Sequence, residues 1–246
     1  IEKDVVTVQA AKAGEFADYD LVRKMRGSIC VLGPLLARMK KATVSMPGGC
    51  LIGTRPVDLH RKAMTALGAK VAVTGGYITA RARKLVGGEM FLGGRSGPTV
   101  LGTANAMMAA TLAEGITVIE SAACEPEVVD LVKFLNNMGA KIQGAGSPTL
   151  TITGVRELGG AEHEVIPDRI EAATYAIAGV ATKGEVTLKG ARPDHMKVVL
   201  EKLRESGVKV EQSEGKLTFK RGRRLRSVHI TPLPHPGFPT DVQAQM

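Results

Sequence analysis

Three stretches of this chain repeat one pattern: "LHRKAMTALGAKVAV" (59–73), "VVDLVKFLNNMGAKIQG" (128–144) and "MKVVLEKLRESGVKVEQ" (196–212). In each, apolar residues recur at helical spacing. Then come a glycine, an Ala or Val, a lysine and a β-branched residue. Gly68, Gly139 and Gly207 stand where a helix needs a left-handed C-terminal cap. The residues that follow alternate as a strand does. A turn then leads into a second strand at "GYITARA" (76–82), "PTLTITG" (148–154) and "GKLTFKR" (215–221). The three glycines lie about 70 residues apart, and a period of that length decides the architecture before any single motif does.

The pattern recurs upstream of each copy. "GPLLARMKKATVSMPGG", "MMAATLAEGITVIESAA" and "YAIAGVATKGEVTLKGA" each read as the end of an apolar helix, a turn and a strand. The unit is therefore strand, helix, strand, helix, strand, strand. Its first helices, "TVLGTANAMMAATLA" (99–113) and "RIEAATYAIAGVAT" (169–182), are apolar or small nearly all round, a pattern that predicts burial on every side. The second helices carry charge on one face. The expected fold is α/β, with central buried helices and sheets outside them, unlike a doubly wound sheet with its helices outside. The repeat is cut at both ends: "DVVTVQA" (4–10) reads as the closing strand of an earlier unit, and "LPHPGFPTDVQAQM" (233–246) as the entry to a further helix. The expectation is an internal fragment of a longer protein.

Composition narrows the function. No stretch approaches the roughly 18 apolar residues of a membrane span, and no basic start precedes an apolar run. Cys30, Cys50 and Cys124 have no metal-ligand spacing, so no metal site is expected, and a reducing cytoplasm fits. The formal charge is +9, yet aromatic residues are only 3%, too few to interleave with basic residues as base-stacking surfaces do. The densest basic run, "KRGRRLR" (220–226), reads as a turn after a short strand. Nucleic acid is thus not an expected partner. Arginines near glycines, spread along the chain, suit small phosphates and carboxylates better.

Five motifs carry a resemblance: "MRGSICVLGPLLAR" (25–38), "PGGCLIGTRPVDLH" (47–60), "ATLAEGITVIESAACEPEVVDL" (110–131), "IPDRIEAAT" (166–174) and "PHPGFPTDVQAQ" (234–245). In this order they closely resemble the UDP-N-acetylglucosamine 1-carboxyvinyltransferases, and the resemblance runs over the whole chain. It implies the enolpyruvyl-transferase fold, two domains of repeated βαβαββ units around buried helices, an inside-out α/β barrel. Residues 1–160 would form most of a first domain with two full units. Residues 161–246 would begin a second, with one full unit and the start of another. The implied reaction transfers the enolpyruvyl group of phosphoenolpyruvate to the 3-hydroxyl of UDP-N-acetylglucosamine and releases phosphate. That is the first committed step of peptidoglycan synthesis in the bacterial cytoplasm. It needs no metal or redox cofactor, is blocked covalently by fosfomycin, and closes two domains over the substrates, so this fragment alone is expected to be inactive.

The resemblance also implies roles. Cys50 matches the catalytic cysteine that donates a proton to C3 of phosphoenolpyruvate. The Pro47-Gly48-Gly49 turn gives it reach, and Arg55 favours its reactivity. Arg55 matches an arginine at the phosphate and the sugar nucleotide, and Arg26 one near the carboxylate of phosphoenolpyruvate. Arg55, Pro56, Val57, Asp58 and Leu59 match the segment that holds uridine and diphosphate. Structurally, "RPVDLH" also reads as a Pro-led helix start, which itself attracts anions. Asp241 matches the aspartate placed to take the proton of the sugar 3-hydroxyl. Thr99 and Val100 match a Ser-Val pair at the nucleotide. Around them "RSGPTVLG" (95–102) departs from the pattern, with Leu101 in place of a glycine and Gly97 where a lysine is expected. Arg95 stands nearby as a substitute. His60 either tunes the site or is structural, and Cys30 and Cys124 read as space-fillers. Two further readings stay open. The 5-enolpyruvylshikimate-3-phosphate synthases share the fold and a related reaction but lack the cysteine loop. A non-catalytic paralogue would bind the sugar nucleotide only, and would not need Cys50, Arg55 and Asp241 together.

Overall fold

The computed structural model describes residues 4–48, 57–95 and 97–246. These divide into two compact units, one of residues 1–122 with 132–161, the other of residues 123–131 with 162–246.

The first copy of the repeat runs β1 (Phe16–Ala17), a one-turn helix α1 (Tyr19–Val22), a 3-10 helix (Arg26–Val31), α2 (Leu32–Met39), β2 (Lys41–Ser45), α3 (Asp58–Ala66), β3 (Lys70–Thr74) and β4 (Tyr77–Arg81). The second runs β5 (Glu89–Phe91), a small hairpin β6 (Gly93–Gly94) and β7 (Gly97–Pro98), α4 (Val100–Ala110), β8 (Ile116–Glu120), α5 (Pro126–Asn137), β9 (Lys141–Gln143) and β10 (Thr149–Thr153). The third has α6 (Arg169–Ala181), β11 (Glu185–Lys189), α7 (Lys197–Glu205), β12 (Lys209–Ser213) and β13 (Lys216–Lys220), then a 3-10 helix at Thr240–Val242. The sheets follow one rule. Strand order is β1-β2-β4-β3 in the first and β5-β8-β10-β9 in the second, with only the leading pair parallel. The third sheet, β11-β13-β12, keeps the antiparallel part of that order.

The glycine of each copy has the conformation the pattern requires. Gly68, Gly139 and Gly207 have φ of +89°, +100° and +93°. Each closes its helix with the same pair of backbone bonds. Gly68 N–H donates to Thr65 C=O and Ala69 N–H to Met64 C=O, and the bonds at Gly139–Ala140 and Gly207–Val208 are equivalent. This pairing satisfies the last carbonyls of the helix and turns the chain into the next strand.

In the first unit, α4 packs against α2, α3 and the Arg26–Val31 turn on one side and against β8 and β10 on the other. Its hydrophobic character is spread around the whole helix, and Gly102 to Met107, Ala109 and Ala110 are buried. The inward faces of the two sheets, Ala42, Val44, Ile78 and Ala80 on one and Ile119, Ile142, Leu150 and Ile152 on the other, are closed to solvent. Gly33 of α2 lies so close to α4 that an added Cβ would fall onto the Asn105 carbonyl oxygen and 2.7 Å from Asn105 Oδ1.

The equivalent helix of the second unit differs from the expectation. In α6 only Ala173, Ala176, Ile177 and Val180 are buried, and Tyr175 is 58% exposed. Its buried stripe rests on β11, β13 and the Thr240–Val242 turn, and no described helix of this unit covers the opposite side as α2 and α3 cover α4. The all-round apolar pattern predicts burial on every side, and the described residues provide it on one.

Gly33→Ala is expected to lower the unfolding free energy by about 1–3 kcal/mol, the cost of overpacking against a backbone that cannot yield. Gly14→Ala, where a Cβ meets nothing within 4 Å, should change stability little. Paired urea melts check both.

Candidate functional site

In the first unit the expected site residues gather where three elements begin. Arg26 opens the 3-10 helix Arg26–Val31 and is half-buried. Val57 is the N-cap of α3, and Asp58 and Leu59 form its first turn. Valine offers no side-chain cap, so the first amides of α3 depend on other partners. Leu59 lies against the β6–β7 hairpin, where a Cβ added to Gly94 would sit 3.1 Å from Leu59 Cδ1. That hairpin leads into Thr99, whose hydroxyl caps α4 by accepting from Gly102 N–H at 3.2 Å. Val100 follows, partly exposed. Cys50, Arg55 and Pro56 lie outside the described residues.

Beneath this surface is a polar group that the sequence reading missed. Asn105, fully buried, accepts through Oδ1 from Gly33 N–H at 2.6 Å. Its Nδ2 donates to Ile29 C=O at 2.8 Å and to His60 Nδ1 at 3.0 Å. The Gly33 donor and the Ile29 acceptor fix which end of the amide is oxygen. His60 Nδ1 must then accept, which puts the ring proton on Nε2. His60 is 4% exposed. Burial, then the Arg26 charge, lower its pKa to about 4, with Asp58 opposing. The imidazole is neutral at physiological pH. A lone asparagine in a run of small apolar residues was the available signal.

In the second unit, Asp241 sits on the Thr240–Val242 turn, anchored by the buried side chains of Phe238 and Val242. Gln245 Nε2 donates to Asp241 C=O at 2.9 Å and to Thr174 Oγ1 at 3.1 Å, tying the turn to α6. The Asp241 side chain is exposed. Next to this turn is a cavity of about 130 Å³ lined by Arg169, His195, His235, Pro239 and the start of α7. Glu127 holds Arg169 by two bonds, at 2.8 and 3.3 Å. Burial lowers the pKa of both His195 and His235. Among the described residues, His195 Nδ1 and Glu125 Oε2 are buried without a hydrogen-bond partner.

The model of the EPSP synthase (3-phosphoshikimate 1-carboxyvinyltransferase) family matches residues 1–246. The chain belongs to that family. Among its curated relatives is UDP-N-acetylglucosamine 1-carboxyvinyltransferase 1 of Caldanaerobacter subterraneus subsp. tengcongensis, 53% identical over 94% of this chain and 55% of the relative. The UDP-N-acetylglucosamine 1-carboxyvinyltransferase of Caulobacter vibrioides is 55% identical over 94% of this chain and 53% of its own length. The solved enolpyruvyl transferase NikO from Streptomyces tendae shares the fold with a TM-score of 0.81 at 25% identity, over 94% of this chain and 55% of that one. An EPSP synthase from Acinetobacter baumannii shares it at a TM-score of 0.59 and 22% identity, over 88% of this chain and 49% of that one. The chain spans about half the length of the curated relatives it matches. The enolpyruvyl-transferase fold that the resemblance implies is thus the fold of this family member.

The two described cysteines of this family member have environments that suppress their thiolates. Burial pushes Cys30 up to about 11, and burial with the Glu125 carboxylate raises Cys124. A thiol must ionise to react, which both settings oppose.

His60 carries a pH signature. Its pKa is lowered on folding, so the unfolded chain binds the extra proton between pH 6.5 and about 4. Stability is present above that window and is lost as pH falls through it, by up to about 3 kcal/mol from His60. His195 and His235 act in the same direction, so the comparison must be with a variant. The melting temperature of His60→Asn should fall less steeply than that of the wild type between pH 6.5 and 4.

Proposed function

We propose that the protein containing this chain transfers the enolpyruvyl group of phosphoenolpyruvate to the 3-hydroxyl of UDP-N-acetylglucosamine and releases phosphate. The observation that carries this reading is identity of more than half, over 94% of the chain, to relatives bearing that name, with "PGGCLIGTRPVDLH" unbroken at 47–60. Residues 1–160 would supply most of a first domain and residues 161–246 part of a second. The setting would be the bacterial cytoplasm. No described helix is long and apolar enough to cross a membrane.

The chemistry assigns each residue a task. Cys50 delivers a proton to C3 of phosphoenolpyruvate, which leaves C2 electrophilic. Asp241 takes the proton of the sugar hydroxyl as its oxygen bonds to C2, giving a tetrahedral intermediate. A C3 proton then leaves, the C2–O bond to phosphate breaks, and the enol ether and phosphate are the products. Arg26 and Arg55 hold the carboxylate and phosphate charges. Arg55, Pro56, Val57, Asp58 and Leu59 hold the nucleotide, and Thr99 and Val100 meet it at the start of α4.

The test uses the complete gene product. Phosphate release should require both substrates, and shikimate 3-phosphate should not replace the sugar nucleotide. Cys50→Ala should cut turnover by about 10²–10⁴-fold, the usual worth of a general acid. Asp241→Ala should lower kcat while leaving sugar-nucleotide binding largely intact. Mass spectrometry should place fosfomycin on Cys50. Labelling of Cys30 or Cys124 instead, or full activity in Cys50→Ala, would refute the assignment.

A further inference from the structure

Asn105 stands out on α4 because the neighbouring side chains of that helix are small or apolar. Burying an amide costs about 1–3 kcal/mol unless it is bonded, so its presence requires partners. Its three bonds run to three separate elements: Gly33 on α2, Ile29 on the 3-10 helix and His60 on α3. Each bond adds little net stability, about 0.5–1.5 kcal/mol, but each is directional. Ile29 lies one 3-10 turn after Arg26, and His60 lies just after Asp58 and Leu59. Two of the three tied elements therefore begin at residues assigned to substrate.

We propose that Asn105 is a positioning residue for the transfer reaction. With His60, it holds the Arg26 turn and the Asp58–Leu59 end of α3 at a fixed separation, before substrate arrives. This inference rests on the function proposed above. The argument for positioning over mere support is chemical. A leucine at position 105 would fill similar space but leave the 3-10 turn and α3 free to slide past each other, since apolar contacts have no preferred direction. Gly33 brings α2 close enough for its N–H to reach the same amide, so one side chain references all three elements to the buried helix. Misplaced groups that grip a substrate lower kcat/KM even when the change lies far from the chemistry, so a tie of this kind has functional weight.

The experiment compares His60→Ala, His60→Asn and Asn105→Leu in the complete gene product. Asparagine at position 60 keeps an acceptor near the place of Nδ1, and alanine does not. Steady-state kinetics give kcat and KM for each substrate, and amide hydrogen exchange is followed over residues 26–33 with residues 141–153 as an internal reference. His60→Ala and Asn105→Leu should accelerate exchange in 26–33 alone and raise KM for at least one substrate about tenfold, with kcat within about threefold. His60→Asn should return KM to within about threefold of the wild type. If Asn105→Leu does not fold, the His60 pair decides. Faster local exchange with unmoved KM values would make the tie structural only and overturn the inference, as would unchanged exchange. Wild-type protein that releases no phosphate would sink the proposed function and this inference with it. Wild-type turnover with unmoved KM values in the variants would sink this inference alone.

Discussion

The approach of α2 to α4 at Gly33 is the contact on which the first unit depends. Two helices come this close only where one side offers no side chain, and Gly33 offers none against the Asn105 backbone. The rest of α4 follows from its place between α2, α3 and two strands. Gly102, Ala104, Ala106, Ala109 and Ala110 keep the helix thin enough for neighbours to reach it from both sides. Such residues bury little apolar area each. The enclosure is completed by larger groups on the neighbours, including Leu32, Leu36, Met64, Ile119 and Leu150. A thin helix wrapped by bulky neighbours reaches native packing density, which bulky side chains on every element would overfill.

A close helix contact with no polar atom would leave the Gly33 N–H buried without a partner, which is costly. Asn105 answers that need, and the same amide adds a second donor to the Ile29 carbonyl, which also accepts from Leu32 N–H. Its second amide hydrogen goes to His60, which stays neutral because it is buried and Arg26 is near. A protonated imidazole would present a second donor to the Asn105 amide and break the bond. Burial and the Arg26 charge thus keep His60 in the neutral form that the tie requires.

The repeat was legible because its signals are local. A glycine at positive φ, a lysine after it and alternation beyond it are set by backbone sterics within a few residues, and all three copies show the same bonds at Gly68, Gly139 and Gly207. The burial of α4 was legible from its composition. The same logic misjudged α6, because small apolar residues say that a helix can be surrounded, not that the described chain surrounds it. Asn105 was missed for a related reason. In a pattern of apolar positions one polar residue reads as noise, and its value comes from Gly33, Ile29 and His60, which are far away in sequence. The cluster of Arg169, Glu127, His195 and His235 was equally hidden, since its members come from four separate segments of the second unit.

Equivalent positions of the repeat also separate electrostatically. The first helix of each full copy ends a connection at an N-cap residue. On α4 that residue is Thr99, a neutral hydroxyl, and no acidic residue follows in the first turn. On α6 it is Asp168, which accepts from Ile170 and Glu171 N–H, and Glu171 adds a second carboxylate. A helix start carries roughly half a positive charge, which nearby carboxylates offset. The start of α6 is therefore already compensated from within the chain, and that of α4 is not. An anion with a choice between these two repeat-related sites would favour α4, where Thr99 and Val100 stand. Two copies of one fold can thus divide the labour of binding through the charge at a helix start, a neutral Thr99 on one and Asp168 with Glu171 on the other.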